Sequence, residues 1–300
     1  MLKRFLSYVE IQTKITSLFA FAMTLAWLFA ARLPIRWVET GVFFASMFLF
    51  DLTTTAINNY VDTKTNGQEL QLPRPAALAV ILGLLLLSAS LGIALVLMTD
   101  WTVFLLGGLC FLCGVFYTWG PLPISRLPLG EMFSVVFYGL LIPFILLYIN
   151  QPAGTYLTLA FSGGTLSISL VLPRLIEVAL LAVAPACATA NIMLANNICD
   201  LPKDVLVKRH TLPYYLGVPK ALKLFALLYY LPFAASVVMV LVGMVPWVYL
   251  LFLLALIPVQ RNINTFLKKQ EKAETFICSI KNYVVLMSAD IAALLLCRWF

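Results

Sequence analysis

Long apolar segments, each of about 20 residues and almost free of charge, recur along the whole 300-residue chain. A helix of about 20 residues crosses the roughly 30 Å hydrocarbon layer of a bilayer. The chain is 62% hydrophobic and 11% charged, whereas soluble domains are about 45–50% apolar and about 25% charged. This composition excludes most soluble enzymes, nucleic-acid-binding modules and disordered proteins, and the uninterrupted segments disfavour an alternating β-barrel. We therefore predict an all-α, polytopic transmembrane helical bundle.

The apolar segments predict nine membrane-spanning helices, with no soluble domain between them. A single transmembrane domain over residues 1–300 is therefore expected. Only Val245–Pro246 separates the seventh and eighth segments, so eight spans are the alternative. Residues 150–169 are uncharged and rich in Gly, Ser and Thr, and we interpret them as a flexible connection, with a partly interfacial position as an option. The nine segments are 15–33, 36–61, 76–98, 101–119, 130–149, 173–197, 221–243, 245–260 and 280–298.

Basic residues are distributed unequally between the two sides of the predicted membrane. With the N-terminus in the cytoplasm, 16 of the 20 Lys and Arg residues fall in cytoplasmic segments. Such an excess is typical of cytoplasmic loops, so we expect a multi-pass cell-membrane protein with its N-terminus inside and its C-terminus outside. The net charge of +7 then reflects topology and indicates a lipid bilayer, not nucleic acid, as the partner. The four exceptions are Arg32, Arg36, Arg174 and Arg298.

Two predicted spans end in matching polar faces, at the same depth in the membrane. In each face Asn and Asp recur every four residues, which stacks them on one side of a helix. Polar groups in membrane helices are costly and therefore indicate function. Because carboxylate and amide oxygens suit Mg²⁺, we predict a magnesium site. Its expected ligands are Asn58, Asp62 and Asn66 in the first face and Asn196, Asp200 and Asp204 in the second.

Basic side chains follow each polar face in the adjoining cytoplasmic loop. Cations beside a metal site are what a diphosphate needs, because the metal and the cations neutralise it together. The alternative is that they are ordinary cytoplasmic charges beside acids at helix ends. The expected diphosphate-binding residues are Lys64, Arg74, Lys203, Lys208 and Arg209.

The two faces resemble the aspartate-rich motifs of the UbiA superfamily of intramembrane prenyltransferases. The motifs are NNYVDTK at 58–64 and NNICDLPKD at 196–204, the second continuing as KRHTL at 208–212. The segments YTWGPLP at 117–123 and LGE at 129–131 resemble the branch that acts on 1,4-dihydroxy-2-naphthoate. The resemblance covers about residues 10–300. Asn59 and Asn66 depart from it, because the family motif often or usually has Asp there, and Glu69 could substitute only in a shifted register.

This resemblance implies a bundle around a central cavity open to lipid, with the motifs at its cytosolic end. Mg²⁺ would hold a polyprenyl diphosphate, and Asp62 and Asp200 would be the catalytic acids. Ionisation of the diphosphate would give an allylic carbocation that the ring of an aromatic acid acceptor attacks. In the naphthoate branch, a step of menaquinone biosynthesis, the prenyl group replaces a carboxylate that leaves as CO₂.

Three further residues are functional candidates, each with an ordinary structural alternative. Tyr117 is a candidate for stabilising a cation or orienting the diphosphate, or it is an interfacial anchor. Arg126 is a candidate for binding the diphosphate or the acceptor carboxylate, or it is an ordinary cytoplasmic charge. The resemblance assigns Glu131 to the aromatic-acceptor site, although an acid is favourable at any helix N-terminus. His210 is interpreted as a loop residue.

Two further classes of function stay open at this point, together with other acceptors. A secondary transporter would concentrate polar groups near mid-helix and would show inverted repeats, whereas here the acids lie on one membrane side. A structural membrane protein gives no reason for two matched polar faces. Within the superfamily, the acceptor could instead be 4-hydroxybenzoate, homogentisate, haem or chlorophyllide.

Overall fold

The computed structural model describes residues 2–64, 69–118 and 127–300. Within these ranges it consists of helices and one two-stranded antiparallel hairpin. The helices are α1 Leu2–Tyr8, α2 Ile15–Ala30, α3 Trp37–Asp62, α4 Arg74–Met98, α5 Trp101–Thr118, α6 Gly130–Ser134, α7 Ile142–Asn150, α8 Leu172–Leu206, α9 Leu212–Leu216, α10 Val218–Leu241, α11 Leu256–Lys268 and α12 Ile277–Cys297. The strands are β1 Leu157–Ser162 and β2 Thr165–Leu170.

Two 3₁₀ segments and one π-helical segment extend these α-helices. The 3₁₀ segment Ile11–Lys14 precedes α2, and the π-helical segment Val135–Leu141 joins α6 to α7. A second 3₁₀ segment, Trp247–Ala255, precedes α11. Each one continues into the following α-helix and so lengthens a membrane-spanning element.

The predicted all-α membrane architecture is confirmed. Among the described residues, eight helical segments are long and apolar enough to cross a membrane, and the apolar stretch Trp101–Tyr117 of α5 is a shorter ninth. The seventh and eighth predicted spans are separate segments, Val218–Leu241 and Trp247–Lys268. The sixth differs most from its predicted end at residue 197. Helix α8 continues through Pro202 to Leu206, so the second polar face lies entirely on helix.

The interpretation of residues 150–169 as a flexible connection is wrong. Strands β1 and β2 pair in register from Leu157 opposite Leu170 to Ser162 opposite Thr165. Gly163 and Gly164 connect them, and both have positive φ, at 56° and 79°. A two-residue hairpin connection with positive φ at both positions favours glycine and matches the twist of the strands.

The described residues form two compact units. The first comprises Met1–Leu18 and Arg36–Ser125, and its core packs α1 against α3 and α4. Tyr8 is buried there, and its hydroxyl donates to the carbonyl of Ala56 at 2.9 Å. Burial raises the pKa of Tyr8, so its phenol remains a hydrogen-bond donor. The N-terminal helix is thereby attached to the helix that carries the first polar face.

A buried ion pair lies deeper in the first unit. The ammonium of Lys14 contacts Oδ1 of Asp51 at 3.0 Å, and these side chains are 2% and 6% exposed. Lys14 also donates to Thr55, and the Ser17 hydroxyl donates to Oδ2 of Asp51 at 2.6 Å. A buried charge needs such partners because leaving water is expensive. This pair joins the 3₁₀ segment before α2 to α3.

The second unit comprises Phe19–Ile35 and Arg126–Phe300, with α8 at its centre. Helix α8 packs against α6, the π-helical segment, α10 and α12. Small side chains allow this close packing, as is common between membrane helices. At Gly139 a Cβ atom would lie 2.3 Å from Cα of Ala186, so the backbones touch here. Helix α8 is therefore held from several sides where it carries the second polar face.

Candidate functional site

The first polar face occupies the last turns of α3. Asn58 and Asp62 lie one turn apart and are half-buried. The third expected ligand, Asn66, lies outside the described residues. Asn59, beside this face, has a structural role: its amide donates to the backbone carbonyl of Tyr8 at 2.9 Å and to Glu10 at 3.2 Å. Asn59, which stands where the family motif often has Asp, therefore connects the N-terminal segment to α3.

Both predicted cations of the first unit lie against one aromatic ring. The Lys64 ammonium is 5.2 Å and the Arg74 guanidinium 5.3 Å from the ring centre of Tyr60. Arg74 also donates to the carbonyl of Tyr60 at 3.2 Å. Cations over an aromatic face are attracted by the ring quadrupole. Tyr60, two residues before Asp62, thus holds two positive charges against its ring. The other predicted residue of this unit, Tyr117, is half-buried in the last turn of α5.

The second polar face lies on α8, where Asn196, Asp200 and Asp204 follow one another at one-turn intervals. A cation from a distant part of the chain contacts it. The ammonium of Lys272, in the loop between α11 and α12, donates to Oδ2 of Asp200 at 2.6 Å and to Oδ1 of Asn196. Lys272 also lies 4.7 Å from the ring centre of Phe276. One face of α8 therefore already binds a positive charge through two oxygens.

Asp204, the last residue of this face, is buried and only partly paired. Arg209 Nη1 lies 4.0 Å from its Oδ1, and the Arg209 backbone amide donates to the Asp204 carbonyl at 2.8 Å. No described residue donates a hydrogen bond to Oδ2 of Asp204, and Nε of Arg209 is similarly without an acceptor among them. Lys203 and Lys208 are exposed beside this pair. Asp204 and Arg209 thus present one acceptor and one donor for a ligand.

Glu131 is buried beside the same helix. Nδ2 of Asn197 donates to its Oε1 at 2.9 Å, which joins α6 to α8. No described residue donates to its second oxygen, Oε2. Because Asn196 and Asn197 are adjacent, this acid lies near the second polar face. The prediction for Glu131 rested on resemblance alone, and the structure supplies its partner.

Most predicted residues are thus found in two groups, one in each unit. In the first unit Asn58 and Asp62 lie near Lys64 and Arg74. In the second, the α8 face lies near Arg209 and Glu131. Arg126, like Asn66, lies outside the described residues. Sequence reasoning missed Lys272 as a contact of the polar face and counted it only as a cytoplasmic charge. It also missed Asn197 as the partner of Glu131, although Asn197 lies within the motif.

The oxygen atoms of the second face suit a magnesium ion. Mg²⁺ prefers oxygen ligands and keeps several waters or substrate oxygens, so a site with two carboxylates and an amide is sufficient. The buried Oδ2 of Asp204, which accepts no hydrogen bond from a described residue, and the cation already held by Asn196 and Asp200 fit this requirement. Within the described ranges no three His, Cys, Asp or Glu side chains cluster as a metal site. An all-protein cage of such ligands is therefore not formed by these residues.

Residues 18–280 match the UbiA prenyltransferase family. This chain belongs to that family. Membership of this prenyltransferase family disfavours the transporter alternative. As a UbiA member, it combines the observed helical architecture with the two polar motifs predicted from the sequence.

Individual relatives agree with this assignment. The 1,4-dihydroxy-2-naphthoate octaprenyltransferase of Bacillus subtilis (strain 168) is 29% identical over 179 residues. That alignment covers 57% of this UbiA chain and about half, 51%, of the relative. The fold resembles the apo structure of a UbiA homolog from Aeropyrum pernix K1, with a TM-score of 0.65, 14% identity and 91% and 97% of the two chains covered.

A second similar fold is that of a UbiA homolog from Archaeoglobus fulgidus, solved with bound DMAPP and Mg²⁺. Its TM-score is 0.62 at 13% identity, with 97% of this chain and 99% of that chain covered. At such identity these likenesses establish the shared fold.

Proposed function

We propose that this UbiA-family protein transfers a polyprenyl group from polyprenyl diphosphate to 1,4-dihydroxy-2-naphthoate, a step of menaquinone biosynthesis. The acceptor is supported by the Bacillus subtilis relative and by the segments at 117–123 and 129–131. In this reaction the allylic C–O bond to the diphosphate breaks and the diphosphate leaves with the electron pair. The ring carbon that bears the carboxylate forms the new C–C bond, and the carboxylate leaves as CO₂, returning the electron pair of its bond to the ring.

The observation that carries the proposal is the cation held on α8. Lys272 shows that Asn196 and Asp200 present oxygens to a positive charge at one place. A diphosphate needs a positively charged surface, and carboxylates supply one only through a bound cation. We propose that Mg²⁺ takes this role, with ligands from Asn196, Asp200 and Asp204 and, in the first unit, from Asn58, Asp62 and Asn66. When bound, Mg²⁺ would neutralise charge on the departing diphosphate.

The chain's own side chains supply the remaining functions in this proposal. Basic groups bind diphosphate oxygens and so lower the cost of the charge that develops on the leaving group. Tyr117 is proposed to face the developing allylic cation. Glu131 is proposed to orient the acceptor, because its buried Oε2 has no donor among the described residues while Asn197 holds Oε1. The basic set is Lys64, Arg74, Arg126, Lys203, Lys208 and Arg209.

We propose that the protein lies in the cell membrane with both polar faces on the cytosolic side. This follows from the 16 basic residues assigned to cytoplasmic segments. The aromatic acid would then arrive from the cytosol and the prenyl chain from the bilayer.

A transfer assay with a panel of acceptors tests the function. Purified protein in lipid nanodiscs is incubated with labelled polyprenyl diphosphate, Mg²⁺ and one of three acids: 1,4-dihydroxy-2-naphthoate, 4-hydroxybenzoate or homogentisate. We expect a prenylated product and CO₂ release with the naphthoate, and no product with EDTA. Product from another acceptor alone would assign a different branch, and equal product in EDTA would reject the magnesium role.

A further inference from the structure

The hairpin of β1 and β2 separates apolar from polar residues completely. Side chains alternate between the two faces of a strand, and residues paired across strands lie on the same face. With the observed register, one face is entirely apolar and the other carries Ser, Thr and Ala. The apolar face consists of Leu157, Leu159, Phe161, Leu166, Ile168 and Leu170. The opposite face consists of Thr158, Ala160, Ser162, Thr165, Ser167 and Ser169.

The apolar face of the hairpin is exposed, except for the first residues of β1. Leu157 and Leu159 are half-buried near the base, whereas Phe161 is 78% and Ile168 60% exposed. A contiguous apolar surface of this kind indicates an interaction site. All residues of this apolar face belong to the second unit.

The hairpin is anchored to the membrane-spanning helices. The amide of Val171 donates to the carbonyl of Tyr156 at 2.9 Å and closes the base of the hairpin. Tyr156 is buried and packs edge-on against Phe144 of α7, with ring centres 5.9 Å apart. The strands are thus held next to the end of α7 and the start of α8.

The position and charge of the hairpin indicate what covers its apolar face. It connects the end of one membrane-spanning helix to the start of the next, so it emerges where those spans meet the membrane surface. By the alternation of spans, exposed Trp247 and Trp299 lie at the same end of the unit, and exposed Trp is typical of the membrane interface. No charged residue occurs from Asn150 to Pro173, so nothing in the hairpin attracts a charged soluble partner.

We propose that the hairpin docks on the lipid surface, with its apolar side chains among the acyl chains and its Ser and Thr side chains toward head groups and water. The docking lies at the end of α8 opposite the second polar face. Both outer edges of a two-stranded sheet leave backbone N–H and C=O groups unpaired, and these cannot be buried in hydrocarbon. The hairpin therefore lies flat in the interface and does not insert across the bilayer.

Photo-cross-linking tests this docking. The photoreactive residue p-benzoylphenylalanine replaces Phe161 on the apolar face or, as the matched control, Ser167 on the polar face of the same hairpin. Each protein is reconstituted in nanodiscs of phosphatidylcholine and phosphatidylglycerol, irradiated and measured by intact mass. We expect the probe at 161 to give several-fold more phospholipid adduct than the probe at 167, with attachment to acyl chains.

A second probe position checks that the lipid adduct does not depend on position 161 alone. Replacing Ile168, on the apolar face, should reproduce the lipid adduct of position 161. Equal adducts at 161 and 167, or no adduct at 161 and 168, would overturn the proposal. A covalent dimer from the 161 probe would also overturn it, because a second copy of the chain would then cover the face. Both replaced side chains at 161 and 167 are exposed, so folding does not depend on them.

Discussion

At the scale of single residues, the contact of Lys272 with α8 has a direct consequence for metal binding. Its ammonium donates to oxygens of Asn196 and Asp200, which are also proposed magnesium ligands. A divalent ion at these oxygens has to displace the ammonium. If Mg²⁺ binds as proposed, Lys272 and the metal compete for these oxygens.

Replacing Lys272 by Met should strengthen divalent-ion binding in the absence of substrate, because Asp200 loses a competing positive charge. Mn²⁺ binding, measured by electron paramagnetic resonance on the solubilised protein, is expected to tighten about 10-fold, the effect of roughly 1.4 kcal/mol. Lys269→Met is the control. Lys269 belongs to the same loop but pairs with Glu271 and Glu274, whose hydrogen bonds raise its pKa. Unchanged or weaker Mn²⁺ binding by Lys272→Met would contradict the competition.

Replacing Asp200 by Ala should lower transfer activity by at least about 100-fold, the order seen when one electrostatic stabiliser of a transition state is lost. We expect the same of Asp62→Ala. Steady-state assays over a range of Mg²⁺ concentrations measure the loss. Glu177→Ala serves as control, because this half-exposed acid pairs with Arg174 near the other end of α8. Near-normal turnover of either Asp variant at saturating Mg²⁺ would reject its role as a ligand.

Replacing Lys14 by Met should destabilise the protein by about 3–5 kcal/mol, because it leaves Asp51 buried beside a lost cation. Thermal unfolding in detergent gives the measurement. The double variant Lys14→Met with Asp51→Leu should recover most of the stability, since neither charge is then buried. Lys3→Met, at an exposed position, is the control. A single variant as stable as the parent would show that the pair contributes little.

At the scale of elements, close packing of α8 against the π-helical segment depends on Gly139. Gly139→Ala is expected to destabilise by about 1–3 kcal/mol through overpacking, because the new Cβ meets the Ala186 backbone. In the matched control Gly83→Ala, at an exposed position of α4, nothing lies within 4 Å of the new Cβ. Its stability should stay within about 1 kcal/mol of the parent. Equal thermal midpoints of the two variants would show that the helices separate easily.

The elements differ in how far their residues could predict them. Apolar length predicted the spans, since burying a backbone in lipid requires a continuous helix. The predicted end of α8 at residue 197 is too early: polar residues and Pro202 indicate a helix end in water, whereas packing against α9, α10 and α12 supports a helix that continues to Leu206. The sequence does contain a pattern typical of a hairpin: apolar residues alternate with Ser and Thr on both sides of Gly163–Gly164. The prediction of a flexible connection did not take this pattern into account.

The candidate site was predicted as far as its helical periodicity reaches. One-turn spacing identified Asn196, Asp200 and Asp204 without knowledge of the fold. The contacts of Lys272 with Asp200 and of Asn197 with Glu131 join residues 72 and 66 positions apart. Such pairs depend on how whole helices pack, and local patterns contain no information about that packing.

At the scale of the whole molecule, the distribution of charge predicts its orientation. We expect Lys203→Cys and Lys269→Cys to react with a membrane-impermeant maleimide in inverted vesicles but not in intact cells. Arg174→Cys, on the opposite side of the same predicted topology, should show the reverse. The parent chain measures the background from its six native cysteines, none of which forms a disulfide. Labelling of Lys203→Cys or Lys269→Cys from outside the cell would invert the predicted orientation.

The buried pair of Lys14 and Asp51 also bears on how the chain is made. An acidic residue eleven positions before the end of α3 is costly to release from the translocon alone. Lys14 precedes Asp51 in the chain, so the lysine is synthesised first and is already present when Asp51 enters the translocon. Lys14 and Asp51 can then leave the translocon together as a neutralised pair. Because of this order of synthesis, the Asp51 carboxylate need not enter the lipid without its partner cation.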